Sequence, residues 1–213
     1  MSDLPRRFAT ALILVVLALL AVWSGGWLFA VLVAAGAGLV FSEWRAMTRG
    51  WGAGWFVGGV LYALVPAVAL LWLRDGPREG AGLVLWLLIV TWATDIFAYF
   101  AGRSFGGPKL APAISPNKTW SGLLGGVVGA GIAGGLTANW LGLPWPYLIA
   151  APAFAAAAQG GDLFESVLKR RAGVKDAGGL LPGHGGVMDR LDGLVVVAVL
   201  TAILTAALLG ART

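Results

Sequence analysis

Asp162, Glu165, Ser166 and Lys169 fall at i, i+3, i+4 and i+7 in the stretch "QGGDLFESVLKR". On a helix that spacing lines two acids, a hydroxyl and a cation along one stripe. Downstream, "PGHGGVMDRLDG" sets His184 among glycines and places Asp189 and Asp192 three residues apart. Separated aspartates can hold Mg²⁺, which takes few protein carboxylates and keeps positions open for phosphate oxygens. Lys169, Arg170, Lys175 and Arg190 are the cations in the same segment, able to neutralise a polyphosphate. The backbone N–H groups of a glycine turn that includes Gly185 and Gly186 can form an anion-binding concavity. Together these are the parts needed for nucleotidyl or phosphoryl transfer, where positioning and charge stabilisation do most of the catalysis. Each part alone has a plainer explanation. The stripe could be a solvated helix end, Asp192 a helix N-cap, and His184 an interfacial side chain.

A second polar segment, "AGRSFGGPKLAPAISPNKTWSG" from Ala101 to Gly122, carries Lys109 and Lys118, which could close over the same anion. Just before it, Asp95 interrupts the apolar run "VTWATDIFAYFAGR" roughly 10 Å of helical rise short of its end. A carboxylate at that depth is costly and marks a functional site by default, the alternative being an acid satisfied by neighbouring helices. Tyr99, four residues on, shares its face.

The elements that position these residues follow from hydropathy. The 213-residue chain is 59% hydrophobic and 12% charged, about half the usual charged share. Apolar runs at about 8–23, 27–42, 55–73, 83–101, 121–141, 147–164 and 194–210 approach or reach the roughly 20 residues that cross a bilayer as a helix. The fold expected is an all-α integral membrane protein, a polytopic bundle of about seven transmembrane helices. Six is the alternative count, because only Ser24-Gly25-Gly26 separates the first two runs. With the N-terminus in the cytoplasm, twelve of the fifteen basic residues face inward and only Arg74, Arg78 and Arg212 fall outside. That arrangement turns the net charge of +5 toward the lipid bilayer rather than toward nucleic acid. Ten of the 25 charged side chains lie between Asp162 and Asp192. The absence of cysteine removes thiolate and disulfide chemistry.

Residues 1–80 read as membrane scaffold, with Trp23, Trp27, Trp44, Trp51, Trp55 and Trp72 as an aromatic belt and no chemistry assigned. Residues 81–213 read as the catalytic membrane domain, with cytoplasmic loops 102–120 and 166–192. In the fifth run, Gly122, Gly125, Gly126 and Gly129 form small-xxx-small pairs suited to close helix packing.

The stretch "SVLKRRAGVKDAGGLLPGHGGVMDRLDG", Ser166 to Gly193, resembles the signature of the phosphatidate cytidylyltransferases, or CDP-diacylglycerol synthases. The serine before Lys-Arg, the Lys-Asp pair, Pro-x-His-Gly-Gly and Asp-Arg-x-Asp all stand at the family's spacing. "DIFAYFAGRSFGGPKLAPAISPNKTWSG" is similar to the family's second block, with Ser121 departing from the acidic or amide residue of many members. The resemblance covers roughly residues 85–210.

That resemblance implies transfer of CMP from CTP to phosphatidic acid, giving CDP-diacylglycerol and pyrophosphate. It implies a Mg²⁺ centre on Asp162 and Asp189, possible K⁺ beside it, a homodimer, and a multi-pass place in the plasma membrane with a cytoplasmic active site. Lys169, Lys175, Ser166 and His184 join the two aspartates as candidate catalytic residues. Arg170, Arg190, Lys109, Lys118, Gly185, Gly186, Asp95 and Asp192 are candidates for binding substrate. Two other functions fit parts of the pattern. One is a CTP-dependent transferase acting on an ether-lipid phosphate or a polyprenol. The other is an ion transporter with Asp95, Asp162 and Asp189 along its path.

Overall fold

A computed structural model describes residues 4–180 and 185–211. The described residues form seven helices and one short hairpin. The helices are α1 (Leu4–Ser24), α2 (Gly26–Met47), α3 (Ala53–Asp75), α4 (Gly80–Phe105), α5 (Trp120–Trp140), α6 (Trp145–Arg171) and α7 (Met188–Gly210). Helices α2, α3, α4, α5 and α7 are long and apolar enough to cross a membrane by length and composition. α1 contributes an apolar stretch at Leu12–Ser24, and α6 carries the 147–164 run before a polar final segment.

The expected count of seven helices matches the architecture, but the polar ends of the helices run further than hydropathy indicates. α4 continues to Phe105 and α6 to Arg171, while α7 begins at Met188. The second loop is therefore 172–187 rather than 166–192, and Ser166, Lys169 and Arg170 stand on a helix. The first loop is not simple coil either. Strand β1 (Lys109–Ala111) pairs antiparallel with β2 (Ser115–Thr119), with Lys109 opposite Thr119 and Ala111 opposite Ser115. Thr119 then caps α5, its Oγ1 accepting the Gly122 N–H at 3.1 Å.

In lipid, helices gain little from burying apolar surface against one another, so small residues and interhelical hydrogen bonds carry the association. α5 shows this along its buried stripe of Gly122, Gly126, Gly129, Ala130 and Gly134, which faces α4 and α6. The Trp86 indole donates to the Gly134 carbonyl at 2.9 Å and rests edge-on against Tyr147. Tyr147 in turn meets Thr205 Oγ1 at 2.6 Å, tying α6 to α7.

The tryptophans divide into two groups. Trp23, Trp27, Trp140 and Trp145 are exposed at the end opposite the charged loops, as an aromatic belt requires. Trp44 differs from that expectation. It is buried, donates to the Trp55 carbonyl at 2.8 Å, and lies against Tyr62 and Phe164. Trp51 and Trp55 take the Arg171 guanidinium over their rings at 4.8 and 5.0 Å. The N-terminal helices thus pack directly under the charged end of α6.

Candidate active site

The helical stripe of α6 is present, and it ends on a lysine shared by two acids. Lys169 Nζ stands 3.0 Å from Glu165 Oε1, one turn back, and 2.6 Å from Asp189 Oδ1 in the first turn of α7. Glu165 is fully buried, and its Oε2 has no hydrogen-bond partner. Both Glu165 and Lys169 lie past the apolar run of α6. Burial pushes the Glu165 carboxyl up to about 8, with Asp192 adding repulsion and Lys169 opposing it. Burial also works against the Lys169 charge, but the hydrogen bond to Asp189 and the charge of Glu165 outweigh it. The ammonium is consequently held above the ordinary lysine range.

Asp189 is fixed from three directions. Its Oδ1 takes Lys169, and its Oδ2 accepts the Ala177 N–H at 2.9 Å and the Gly186 N–H at 2.8 Å. The carboxylate therefore closes the 172–187 loop onto the start of α7. Gly185 adopts φ of 82°, a left-handed conformation that favours glycine. The Gly186 N–H does meet an anionic group, the Asp189 carboxylate. His184 lies outside the described residues.

A second ion pair forms one helical turn before Glu165. Lys118, on β2, reaches Asp162 Oδ2 at 2.5 Å, while Ser166 Oγ donates to Asp162 Oδ1 at 3.4 Å. Arg170 adds a clasp, its Nε donating to the Ile114 carbonyl at 3.2 Å at the tip of the hairpin. The hairpin is thus pinned along the charged end of α6, and the two polar segments of the sequence meet. Gly161 allows a further approach, because a Cβ there would stand 2.9 Å from the Asp192 carbonyl and 2.7 Å from Val196. Asp192 sits one turn into α7, accepting its neighbour Gly193 N–H at 2.7 Å; the N-cap is Val187, so Asp192 does not cap the helix. Asp162, Asp192 and Asp95 are near enough to act on one another electrostatically, with Lys118 among them.

The remaining candidates are more peripheral. Asp95 opens onto a cavity of about 270 Å³ lined by Val15, Trp92 and Ile96. Tyr99 is exposed and packs edge-on against Phe100. Lys109 and Lys175 are exposed, and Arg190 is exposed in the first turn of α7.

Two residues of the N-terminal helices, outside the sequence-predicted site, also enter this region. Tyr62, on α3, has a buried hydroxyl with no partner, within electrostatic reach of Glu165, Asp192 and Asp162. Glu43, on α2, is 4% exposed and accepts hydrogen bonds from the backbone where α7 begins. An acid in an otherwise apolar helix was the available sign for Glu43.

A divalent cation fits the chemistry of this donor set. Three carboxylates, Asp162, Glu165 and Asp189, pair with Lys118 and Lys169, and one buried oxygen of Glu165 is unpartnered. Carboxylate oxygens are the donor type that a hard divalent cation takes. Among the described residues, no three acidic or histidine side chains are already drawn together as a ligand set. Asp162 and Asp189 instead each hold an ammonium, Lys118 and Lys169 respectively.

A sequence model of the cytidylyltransferase family matches residues 49–208. A phosphatidate cytidylyltransferase of Brucella abortus is 47% identical over 171 residues, covering 79% of this chain and 62% of that relative. One of Rickettsia bellii is 35% identical over 207 residues, covering 92% of this chain and 88% of the relative. One of Haemophilus influenzae is 41% identical over 144 residues, covering 62% and 50%. The chain thus spans about three fifths of the length of the Brucella relative and nearly all of the Rickettsia one. With the family match extending through both polar segments and from α3 into α7, the chain belongs to the cytidylyltransferase family.

Proposed function

We propose that the protein is a phosphatidate cytidylyltransferase, transferring CMP from CTP to phosphatidic acid. A phosphatidate oxygen attacks the α-phosphorus of CTP, a new P–O bond forms, and the α–β bridging bond breaks with pyrophosphate as leaving group. No general base is required, because the attacking phosphate is already an anion. The products are CDP-diacylglycerol and pyrophosphate. The observation that carries this reading is the meeting of the α6 stripe, the start of α7 and Lys118 at one end of a membrane helix bundle. A lipid phosphate and a soluble nucleotide can both reach such a place. The names of the relatives support the same substrates.

Asp162 and Asp189 are the residues that would hold Mg²⁺, which when bound offsets negative charge on the triphosphate. K⁺ beside it belongs to the same proposal. Lys118 and Lys169, now paired with those acids, would turn to phosphate oxygens. Arg170, Lys175 and Arg190 supply positive potential at the mouth of the site, and Ser166 and His184 orient phosphate oxygens. Lys109, Asp95, Asp192, Gly185 and Gly186 complete the substrate-binding set. We place the site on the cytoplasmic side of the plasma membrane, following the charge asymmetry of the loops, and propose a homodimer.

The test is pyrophosphate release by the purified protein with Mg²⁺, phosphatidate and each of CTP, ATP, GTP and UTP. Release that requires both CTP and phosphatidate is the expected result. Release without lipid, or equal use of all four nucleotides, contradicts the proposal. Replacing phosphatidate by an ether-lipid phosphate or a polyprenol phosphate in the same assay identifies the acceptor.

A further inference from the structure

Glu43 lies near the end of α2, and the chemistry proposed above leaves it without a task. Its two oxygens point to the first residues of α7. Oε1 accepts the Val187 N–H at 2.9 Å, and Oε2 accepts the Met188 N–H at 2.8 Å. These are two of the four N–H groups that a helix start leaves unsatisfied. Val187 itself offers no side-chain cap. An ordinary serine or aspartate at the N-cap would do that work from within the loop. Here a carboxylate arrives from a helix 144 residues away, at the cost of burying its charge.

The same carboxylate leaves no room for a side chain at Gly178 or at Gly186, one on each limb of the 172–187 loop. A Cβ at Gly178 would stand 2.5 Å from Glu43 Oε1, and one at Gly186 would stand 2.6 Å from Oε2. Next to those glycines are the N–H groups of Ala177 and of Gly186 itself, which hold Asp189 Oδ2. Two carboxylates therefore grip one piece of backbone, Glu43 from beneath and Asp189 from above.

We propose that Glu43 is a positioning residue of the active site. From α2 it fixes backbone 177–178 and 186–188, and so sets where Asp189 presents its carboxylate to the cation and the triphosphate. This rests on the nucleotidyl-transfer reading of the site. Glu43→Gln keeps the size of the side chain but presents an NH₂ to one of the two N–H donors, so one hydrogen bond is lost. A misplacement of about 1 Å at a reacting group lowers turnover by about 100-fold.

The experiment uses the full chain in detergent with phosphatidate. It measures kcat, the KM for each substrate, and hydrogen exchange along the backbone. In Glu43→Gln, kcat should fall about 100-fold on that scale while the KM for phosphatidate stays within about twofold. Amides 186–189 should exchange at least about tenfold faster, with those of α4 and α5 unchanged. A kcat within about twofold of wild type, or unchanged exchange at 186–189, overturns the proposal. Gly178→Ala supplies a second route, because the three atoms its Cβ would meet all belong to Glu43. Gly178→Ala should lower kcat, and adding Glu43→Asp, which withdraws the carboxylate by one methylene, should restore part of it. Simple multiplication of the two effects overturns the coupling. A wild-type protein inactive on CTP and phosphatidate sinks the proposed function, while the exchange measurement still decides the role of Glu43.

Discussion

Lys118 Nζ, carried by the second strand of the hairpin, lies 2.5 Å from Asp162 Oδ2 on α6. The Lys118 side chain is 18% exposed and that of Asp162 34%. This pair joins two segments that the sequence separates by a whole membrane helix.

Lys118→Met should therefore cost activity more than stability, since Asp162 stays exposed enough to be hydrated without its partner. We expect kcat to fall by about 10²–10³-fold, the scale of losing one preorganised donor to a phosphate oxygen. Lys118→Arg should keep more activity than Met but less than wild type, because the planar guanidinium cannot replace a compact ammonium. Steady-state rates with CTP and phosphatidate check both.

Lys169 carries a cost in stability as well as in activity. Its partners are far more enclosed, with Glu165 at 0% and Asp189 at 7% exposure. Removing one member of a buried ionic group leaves uncompensated charge, which costs about 3–5 kcal/mol. Lys169→Met should therefore unfold at a clearly lower temperature in detergent. Adding Glu165→Gln should change this little, because burial already holds that carboxyl largely protonated, and Asp189 is the charge left stranded. Thermal unfolding of the single and double variants reads this directly.

Arg74 provides a contrast at the far end of the bundle. Its Nε donates to the Val22 carbonyl at 2.6 Å and its Nη2 to the Trp23 carbonyl at 3.1 Å, tying the end of α1 to α3. Its ion pair with Asp75 is longer, 3.5 Å, and half-exposed, so the carbonyl bonds dominate. Arg74→Ala should lower stability by about 1–3 kcal/mol and leave kcat/KM per folded molecule unchanged. Asp75→Ala should do neither. Unfolding and activity measured on the same preparations test both statements.

The residues that made the sequence legible are those whose relations are local. Asp162, Glu165, Ser166 and Lys169 repeat at helical spacing, and α6 carries them as that spacing predicts. The small residues of α5 likewise announced a close-packed face. Hydropathy misplaced the ends of α6 and α7, because it cannot register charged residues that remain helical once tertiary partners satisfy them. Arg170 and Asp189 are such residues. The hairpin at Lys109–Thr119 is hidden by its two prolines: Pro112 lies in the turn, and Pro116 lies inside β2, where the register between the two paired positions is irregular. Glu43 was the deepest omission. Its bonds to Val187 and Met188 cross nearly the whole chain, and no pattern within α2 encodes them.

The central claim is that Asp162 and Asp189 together serve a cation needed for nucleotidyl transfer. The most direct measurement is CTP- and phosphatidate-dependent pyrophosphate release across a Mg²⁺ titration, for wild type, Asp162→Asn and Asp189→Asn. We predict a wild-type rate that rises with Mg²⁺ and saturates, and variants that lose turnover per folded molecule at every Mg²⁺ concentration, with Asp189→Asn also unfolding at a lower temperature because it leaves Lys169 short of a partner. Near-wild-type turnover by either variant, or a wild-type rate indifferent to Mg²⁺ after chelation, contradicts it.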